Sequence, residues 1–266
     1  MVWYVMSMNK NHLLHRERHI VVGDIHGCFD EFVELLEAVN WKEKEDHLIL
    51  VGDLVDRGPK SRAVVDWAMT HNANISLIQG NHEAKHLRYF RHERKKLHNR
   101  YYKNPMRMPD YIQAAYDSLT DDHRYFLKDQ GFYVRVPEFN LVVVHGGLLP
   151  GIKVNDHKPE QIIYTRYLDN DTKKPCQLGP PPDFKPHDNS TFWTEFWDGG
   201  ENVAFGHHVL DMENVLELPS AHGMTCYALD TGCCFGGKLS AAVFERGTQA
   251  PTYVQVKAHK KYFERE

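Results

Sequence analysis

Short apolar runs, each closed by a glycine-rich polar turn, recur along this chain from His19 onward. The first, residues 20–22, reads as a buried strand. Asp30 then offers an N-cap to a helix over 31–40, with Phe32, Val33, Leu35, Leu36 and Val39 on its apolar face. A second strand is expected over 47–51. Pro59-Lys60-Ser61 opens a second helix that turns Val64, Val65, Trp67 and Ala68 inward. Residues 75–78 make a third strand. This alternation predicts a βαβαβ unit with right-handed crossovers. Its loops would lie at the carboxyl ends of the strands, where open α/β sheets bind ligands.

Beyond the third strand the pattern changes. From Lys85 to Arg107 nine Lys or Arg residues face one acid, Glu93, with Tyr89, Phe90, Tyr101 and Tyr102 interleaved. An amphipathic helix follows over 111–119. Residues 85–125 are read as a basic helical cap that receives phosphates and stacked bases; the plain alternative is a solvated basic face. Further strands are expected over Leu141–Val144, 203–205, 226–229, 240–244 and 252–256, the last two completing a second sheet. Residues 169–189, centred on Pro180-Pro181-Pro182, read as a long Pro-rich loop. Phe192, Trp193, Phe196 and Trp197 are assigned to the core.

Composition narrows the class. A chain of 266 residues can build one sizeable core, so 19–266 is taken as a single domain behind an N-terminal tail, 1–18. A net charge of -4 does not announce a nucleic-acid or membrane binder. The apolar residues 1–8 are short and lack a basic lead-in, which argues against a signal peptide. No apolar stretch reaches membrane-spanning length. Five cysteines, two of them adjacent at Cys233-Cys234 and none in a C-x-x-C pair, argue against a disulfide framework and against a structural zinc site. Reduced thiols fit the cytoplasm.

The chemistry is concentrated in three strand ends: Gly23-Asp24-Ile25-His26-Gly27, Gly52-Asp53-Leu54-Val55-Asp56-Arg57-Gly58 and Gly80-Asn81-His82-Glu83. Carboxylates, imidazole and carboxamide delivered together can hold two divalent cations, which clamp both oxygens of an in-line phosphoryl displacement. Later strands end in candidate ligands at His145-Gly146-Gly147 and Gly206-His207, and another ends in the turn Asp230-Thr231-Gly232.

In order, residue type and spacing these motifs resemble those of the phosphoprotein phosphatase-type metallophosphoesterases, over roughly residues 19–256. The resemblance implies a calcineurin-like α/β fold, with two mixed sheets packed as a sandwich, flanked by helices and carrying a helical cap. It implies that Asp24 and His26 bind one metal, that Asp53 bridges, and that Asn81, His145 and His207 bind the second, His207 being preferred to His208. It further implies a metal-bridging hydroxide as nucleophile, His82 as general acid oriented by Asp56, and Arg57 as a phosphate clamp. Oxygen and nitrogen ligands without thiolate suit Mn²⁺, with Fe, Zn²⁺, Co²⁺ or Mg²⁺ as alternatives.

The closing segment Tyr227-Ala228-Leu229-Asp230-Thr231-Gly232-Cys233-Cys234-Phe235-Gly236-Gly237, with Tyr164-Thr165-Arg166, is similar to the ApaH-like, symmetrical diadenosine tetraphosphatase group. That likeness adds Arg166 as a second phosphate-binding arginine. It implies symmetrical cleavage of dinucleoside polyphosphates. Asp56 and Glu83 look more like the protein phosphatases, whereas Gln79 stands where those have an arginine. Phosphoprotein, RNA-cap and polyphosphate hydrolysis stay open as alternatives, as does an inert phosphate-binding scaffold.

Overall fold

The computed structural model describes residues 10–176 and 186–264. The apolar residues 1–8 and Pro180-Pro181-Pro182 lie outside them. Within the expected tail, residues 11–15 form a short 3-10 helix that buries Leu13. Lys10 Nζ donates to Asn72 Oδ1 at 2.9 Å and to the Ile75 carbonyl at 2.7 Å, so this part of the tail is docked.

The chain then builds β1 (Arg18–Val22), α1 (Phe29–Ala38), β2 (Asp46–Leu50), α2 (Ser61–Thr70) and β3 (Ile75–Leu77). All three strands run parallel, as the βαβαβ reading requires. Helix α1 starts two residues before the expected helix, with Cys28 rather than Asp30 at the N-cap position. Left-handed Gly27 closes the preceding turn there, and Asp30 pairs instead with Lys60 at 2.7 Å. The helices α3 (Asn81–His98), α4 (Asp110–Ser118) and α5 (Asp121–Lys128) follow.

The second half contributes β4 (Tyr133–Val136), β5 (Leu141–Val144), α6 (Pro159–Tyr164), β6 (Tyr167–Asp169) and β7 (Ser190–Phe192). After these come β8 (Asn202–Phe205), β9 (Leu216–Pro219), β10 (Thr225–Ala228), β11 (Lys238–Glu245) and β12 (Thr252–Lys257). Strands β6 and β7 pair as the base of the long loop. One sheet has the order β12-β11-β1-β2-β3 and the other β4-β5-β8-β10-β9. The last two strands therefore extend the first sheet, contrary to the expectation that they complete the second. An apolar strand fits either sheet; register decides, and β11 fills the free edge of β1, with Ile20 opposite Val243.

Strand alternation explains the layers. Ile20, Val22, Leu48 and Leu50 turn outward onto α1 and α2, where they meet Phe32, Leu35, Val64 and Val65. Val21, Ile49 and Ala242 turn inward and meet Val143, Ala204 and Tyr227 of the second sheet. Behind that sheet Val142, Val203 and Phe205 pack on Trp193 and Trp197. Each fully buried Phe, Ile or Leu of these layers contributes roughly 1.5–3 kcal/mol.

One polar pair is buried in the first sheet. His19 Nδ1 meets His47 Nδ1 at 3.0 Å, and His47 Nε2 meets Ser76 Oγ at 2.8 Å. Two protonated rings would set N–H against N–H. Burial lowers His19 to about 4 and His47 to about 3, from 6.5. Groups with depressed imidazole pKa values bind more protons unfolded, so stability is complete above pH 6.5 and declines as pH falls toward 4. The decline should reach roughly 3 kcal/mol for His19 alone. Urea midpoints compared with His19→Phe across this range test it; parallel curves would place the acid sensitivity elsewhere.

Candidate active site

Strands β1, β2 and β3 are parallel neighbours in one sheet and β5, β8 and β10 in the other, and each ends at one of the glycine-rich turns named above. Backbone conformation aims these side chains. His26, Asp53, Asp56, Arg57 and His207 all have positive φ, with values between 45° and 73°. Such strain in non-glycine residues is typical of functional loops held by their surroundings. Glycine is needed where backbones come close: a Cβ at Gly80 would lie 2.1 Å from Asp53 Oδ1, and one at Gly206 would lie 2.0 Å from Asp24 Oδ1.

Glu83 fastens the second motif to the third. Fully buried, its Oε2 accepts from the amides of Asp53 at 2.8 Å and Gly80 at 2.9 Å. Its Oε1 accepts from Leu54 at 2.8 Å and Val55 at 3.3 Å. Glu83 thereby supports the loop that carries Asp53.

Asp53 stands at the centre. Its Oδ2 lies 3.5 Å from His26 Nε2, and its Oδ1 lies 3.4 Å from His145 Nε2. One carboxylate thus belongs to two clusters, His26–Asp53–His82 and Asp53–His145–His207, whose candidate ligand atoms lie within 4.8 Å of one another. Asp24 adds Oδ2 at 3.9 Å from His26 Nε2 and accepts the His207 amide through both oxygens. Asn81 Oδ1 lies 3.0 Å from His145 Nε2.

The imidazoles are set up as ligands. His26 Nδ1 donates to the Val55 carbonyl at 2.8 Å and His145 Nδ1 to that of Val51 at 2.9 Å, which turns each Nε2 toward Asp53. His207 Nε2 is buried without a hydrogen-bond partner, the state of a nitrogen that awaits a ligand. Burial pushes His26 and His207 well below the ordinary histidine value, so both are neutral. Burial first, then the charge of Asp230 and Asp53, pushes Asp24 up. Neutral rings beside crowded carboxylates fit divalent cations in donor type, in tautomer and in charge. His208 stacks on Phe192, with ring centroids 5.7 Å apart, and is not part of either cluster.

The remaining residues frame this centre. His82 Nδ1 donates to Asp56 Oδ2 at 2.6 Å, and its Nε2 faces Asp53 Oδ2 at 3.9 Å. Asp56 is fully buried, which alone would raise its pKa; hydrogen bonds from His82 and His86 outweigh burial and hold it ionised. Arg57 contacts His26 Nε2 and lies over the Phe235 ring at 5.1 Å. Arg166 Nη2 lies 3.3 Å from His207 Nδ1, and burial lowers its pKa to about 10, which leaves it charged. One arginine therefore flanks each cluster.

Two buried groups were not singled out from sequence as site residues. His86 Nε2 meets Asp56 Oδ1 at 2.7 Å, so two histidines share one carboxylate. Their i, i+4 spacing on α3 was the available signal. Asp230, whose pKa is raised first by burial, faces Arg57, Asp53 and His145 and accepts the Gly232 amide at 3.0 Å. Its place at a glycine-closed strand end was the clue. Gln79 turns away from the centre and donates to the Gln130 carbonyl at 2.8 Å.

The first part of the basic segment is helical. Helix α3 begins at Asn81, inside the site, and carries its cations outward. Lys85 and Arg88 lie near the centre, where Lys85 senses Asp56 and Arg57. Lys95 lies roughly 20 Å along the axis from Asn81. Tyr164, 42% exposed, feels the charges of Arg88, Asp53 and Arg166 and so stands at the mouth.

Comparison with known proteins agrees with this geometry. Residues 18–237 match the family model of the calcineurin-like phosphoesterases. A symmetrical bis(5'-nucleosyl)-tetraphosphatase of Actinobacillus succinogenes is 27% identical over 271 residues, covering 82% of this chain and 90% of its own. The enzyme of that name from Psychromonas ingrahamii is 34% identical over 131 residues, covering 49% of this chain and 44% of its own, less than half its length. A crystal structure described as a "putative diadenosine tetraphosphatase" superposes with a TM-score of 0.71 at 29% identity, covering 92% of this chain and 95% of its own. A serine/threonine phosphatase of Saccharomyces cerevisiae shares the fold, with a TM-score of 0.55 at 15% identity, over 91% of this chain and 80% of its own. With its motifs, sheets and strand-end cluster accounted for, the chain belongs to the calcineurin-like phosphoesterase family.

Proposed function

We propose that this protein is a dinuclear metal-dependent phosphohydrolase that cleaves dinucleoside polyphosphates symmetrically, diadenosine tetraphosphate giving two ADP. The observation that carries the metal centre is Asp53, whose two oxygens each face a separate group of imidazoles. Asp24 and His26 would hold one cation, Asn81, His145 and His207 the other, and Asp53 both. Bound there, Mn²⁺ would polarise phosphoryl oxygens and acidify water.

The protein's own residues then act around the substrate. Arg57 and Arg166 neutralise and orient successive phosphates from opposite sides of the centre. Water adds to one inner phosphorus while the bridging oxygen departs with the other ADP. His82 Nε2 supplies the proton that this oxygen needs, and Asp56 stabilises the imidazolium at Nδ1. His86 and the Asp56 amide bond to Ser61 Oγ, 2.9 Å, keep that carboxylate in place.

A tetraphosphate carrying two bases is favoured over a phosphorylated side chain by the surroundings. Lys85 and Arg88 extend the positive charge beyond the two arginines, and half-exposed Tyr164 offers a ring to a base. Among the described residues the cysteines are free, which suits a reducing cytoplasm. No described helix is long and apolar enough to cross a membrane.

Product analysis of the Mn²⁺-loaded protein with diadenosine tetraphosphate, run beside a phosphopeptide, tests this reading. ADP as the only nucleotide product, at a rate far above phosphate release from the peptide, is expected. Rapid dephosphorylation of the peptide beside an inert dinucleotide would overturn the substrate assignment.

A further inference from the structure

A second cluster of metal-capable side chains lies under the first helix. Cys28 occupies the N-cap position of α1, Glu31 the third residue of that helix, and Cys233 begins the 3-10 turn that follows left-handed Gly232. One ligand atom from each, two Sγ and a carboxylate oxygen, lie within 4.8 Å of one another. Each of the three residues is at most 1% exposed. None of them belongs to the catalytic clusters.

The carboxylate supplies the independent sign of a ligand. Glu31 Oε1 is fully engaged by the C-terminal segment, accepting from Tyr262 Oη at 2.7 Å and from the His259 amide at 2.9 Å. Glu31 Oε2 is buried with no hydrogen-bond partner. An unpaired carboxylate oxygen in the interior costs several kcal/mol unless a cation or a donor meets it. Its neighbours here are thiols, which are weak donors but strong ligands for a soft divalent ion once deprotonated.

We propose that Cys28, Cys233 and Glu31 supply three ligands of a zinc-binding site, separate from the catalytic centre. Binding deprotonates both thiols, releases two protons to solvent and leaves Glu31 Oε2 coordinated. Two thiolates select Zn²⁺ over Mn²⁺, Mg²⁺ or Ca²⁺, whereas the oxygen and nitrogen donors around Asp53 accept the harder ions. The site would tie the loop after β1 to the turn before β11, and through Glu31 to the residues that follow β12. The absence of a C-x-x-C pair gave no hint of it, because its two sulfurs come from opposite ends of the chain.

Cobalt distinguishes the two sites, since only this one contains sulfur. Protein loaded with Co²⁺ should show intense near-ultraviolet thiolate-to-cobalt charge transfer that titrates to one ion per chain. Zinc-loaded protein should give an X-ray absorption shell of Zn–S scattering at about 2.3 Å. Cys28→Ser and Cys233→Ser should each weaken the charge-transfer band, and Cys226→Ser, a buried cysteine on β10, should leave it intact. Glu31→Gln keeps both thiols and can still accept from Tyr262 and His259; it should lower cobalt affinity about tenfold or more.

Cobalt spectra without charge transfer, or a band that survives both serine substitutions, would overturn the proposal. So would alkylated, unreduced protein whose mass shows Cys28 and Cys233 joined by a disulfide. Turnover of the catalytic centre does not enter these readouts, so they stand whatever the substrate proves to be.

Discussion

Asp53→Asn should lower turnover of diadenosine tetraphosphate by about 10³-fold or more, the loss expected when both cations forfeit their shared ligand and several kcal/mol of transition-state stabilisation go with it. The fold should persist. An asparagine oxygen can still accept the His82 amide that Asp53 Oδ1 now accepts at 2.9 Å, and Gly80 still leaves room for the side chain. Removing this charge relieves its repulsion of Asp24 and Glu83 and forfeits its attraction to His145 and His82. The metal-free variant should therefore still unfold in one cooperative transition, within several degrees of metal-free wild type. Metal analysis should find both catalytic ions weakened together. A variant that keeps near-wild-type rates, or that loses only one ion, would contradict a bridging role.

His82→Ala should reduce kcat by roughly 10²–10⁴-fold. Its cause can be separated from metal loss by the leaving group. A departing phenolate needs a proton, whereas p-nitrophenolate leaves without one. The loss should thus be large for phenyl phosphate and small for p-nitrophenyl phosphate, with metal content retained. Asp56→Asn should move both rates in the same direction by a smaller factor, because His82 would lose its charged partner at 2.6 Å but keep its position. Equal losses on both substrates, with metal released, would instead make His82 a ligand in the cluster it shares with His26 and Asp53.

What the sequence made legible, and what it did not, follows from locality. Asp24, His26, Asp53, Asn81 and His145 each sit where an apolar run meets a glycine-closed turn. That combination is local, and the structure gathers the other four about the Asp53 carboxylate. The strands and the two crossover helices were readable for the same reason. The sheet that receives β11 and β12 was not, because strand alternation fits either sheet and only long-range register chooses between them. Asp30 looked like a helix cap, yet Lys60, distant in sequence, claims it.

His86 and Asp230 escaped notice for a related reason. A buried histidine on a helix gains meaning only when Asp56 is seen to accept from it, and Asp230 only when it is seen beside Arg57. The course of the basic segment was likewise not legible: α3 starts in the centre and leads away from it. The Cys28–Glu31–Cys233 cluster is the extreme case, since no local spacing connects its members.

The most direct test of the account is anomalous diffraction at the manganese edge from crystals of the Mn²⁺-loaded protein. Two peaks about 3.5–4 Å apart, one on either side of the Asp53 carboxylate and bordered by His26 and by His145 with His207, are the predicted result. A single peak, or a pair of which neither touches Asp53, would contradict the dinuclear centre on which the proposed hydrolysis rests.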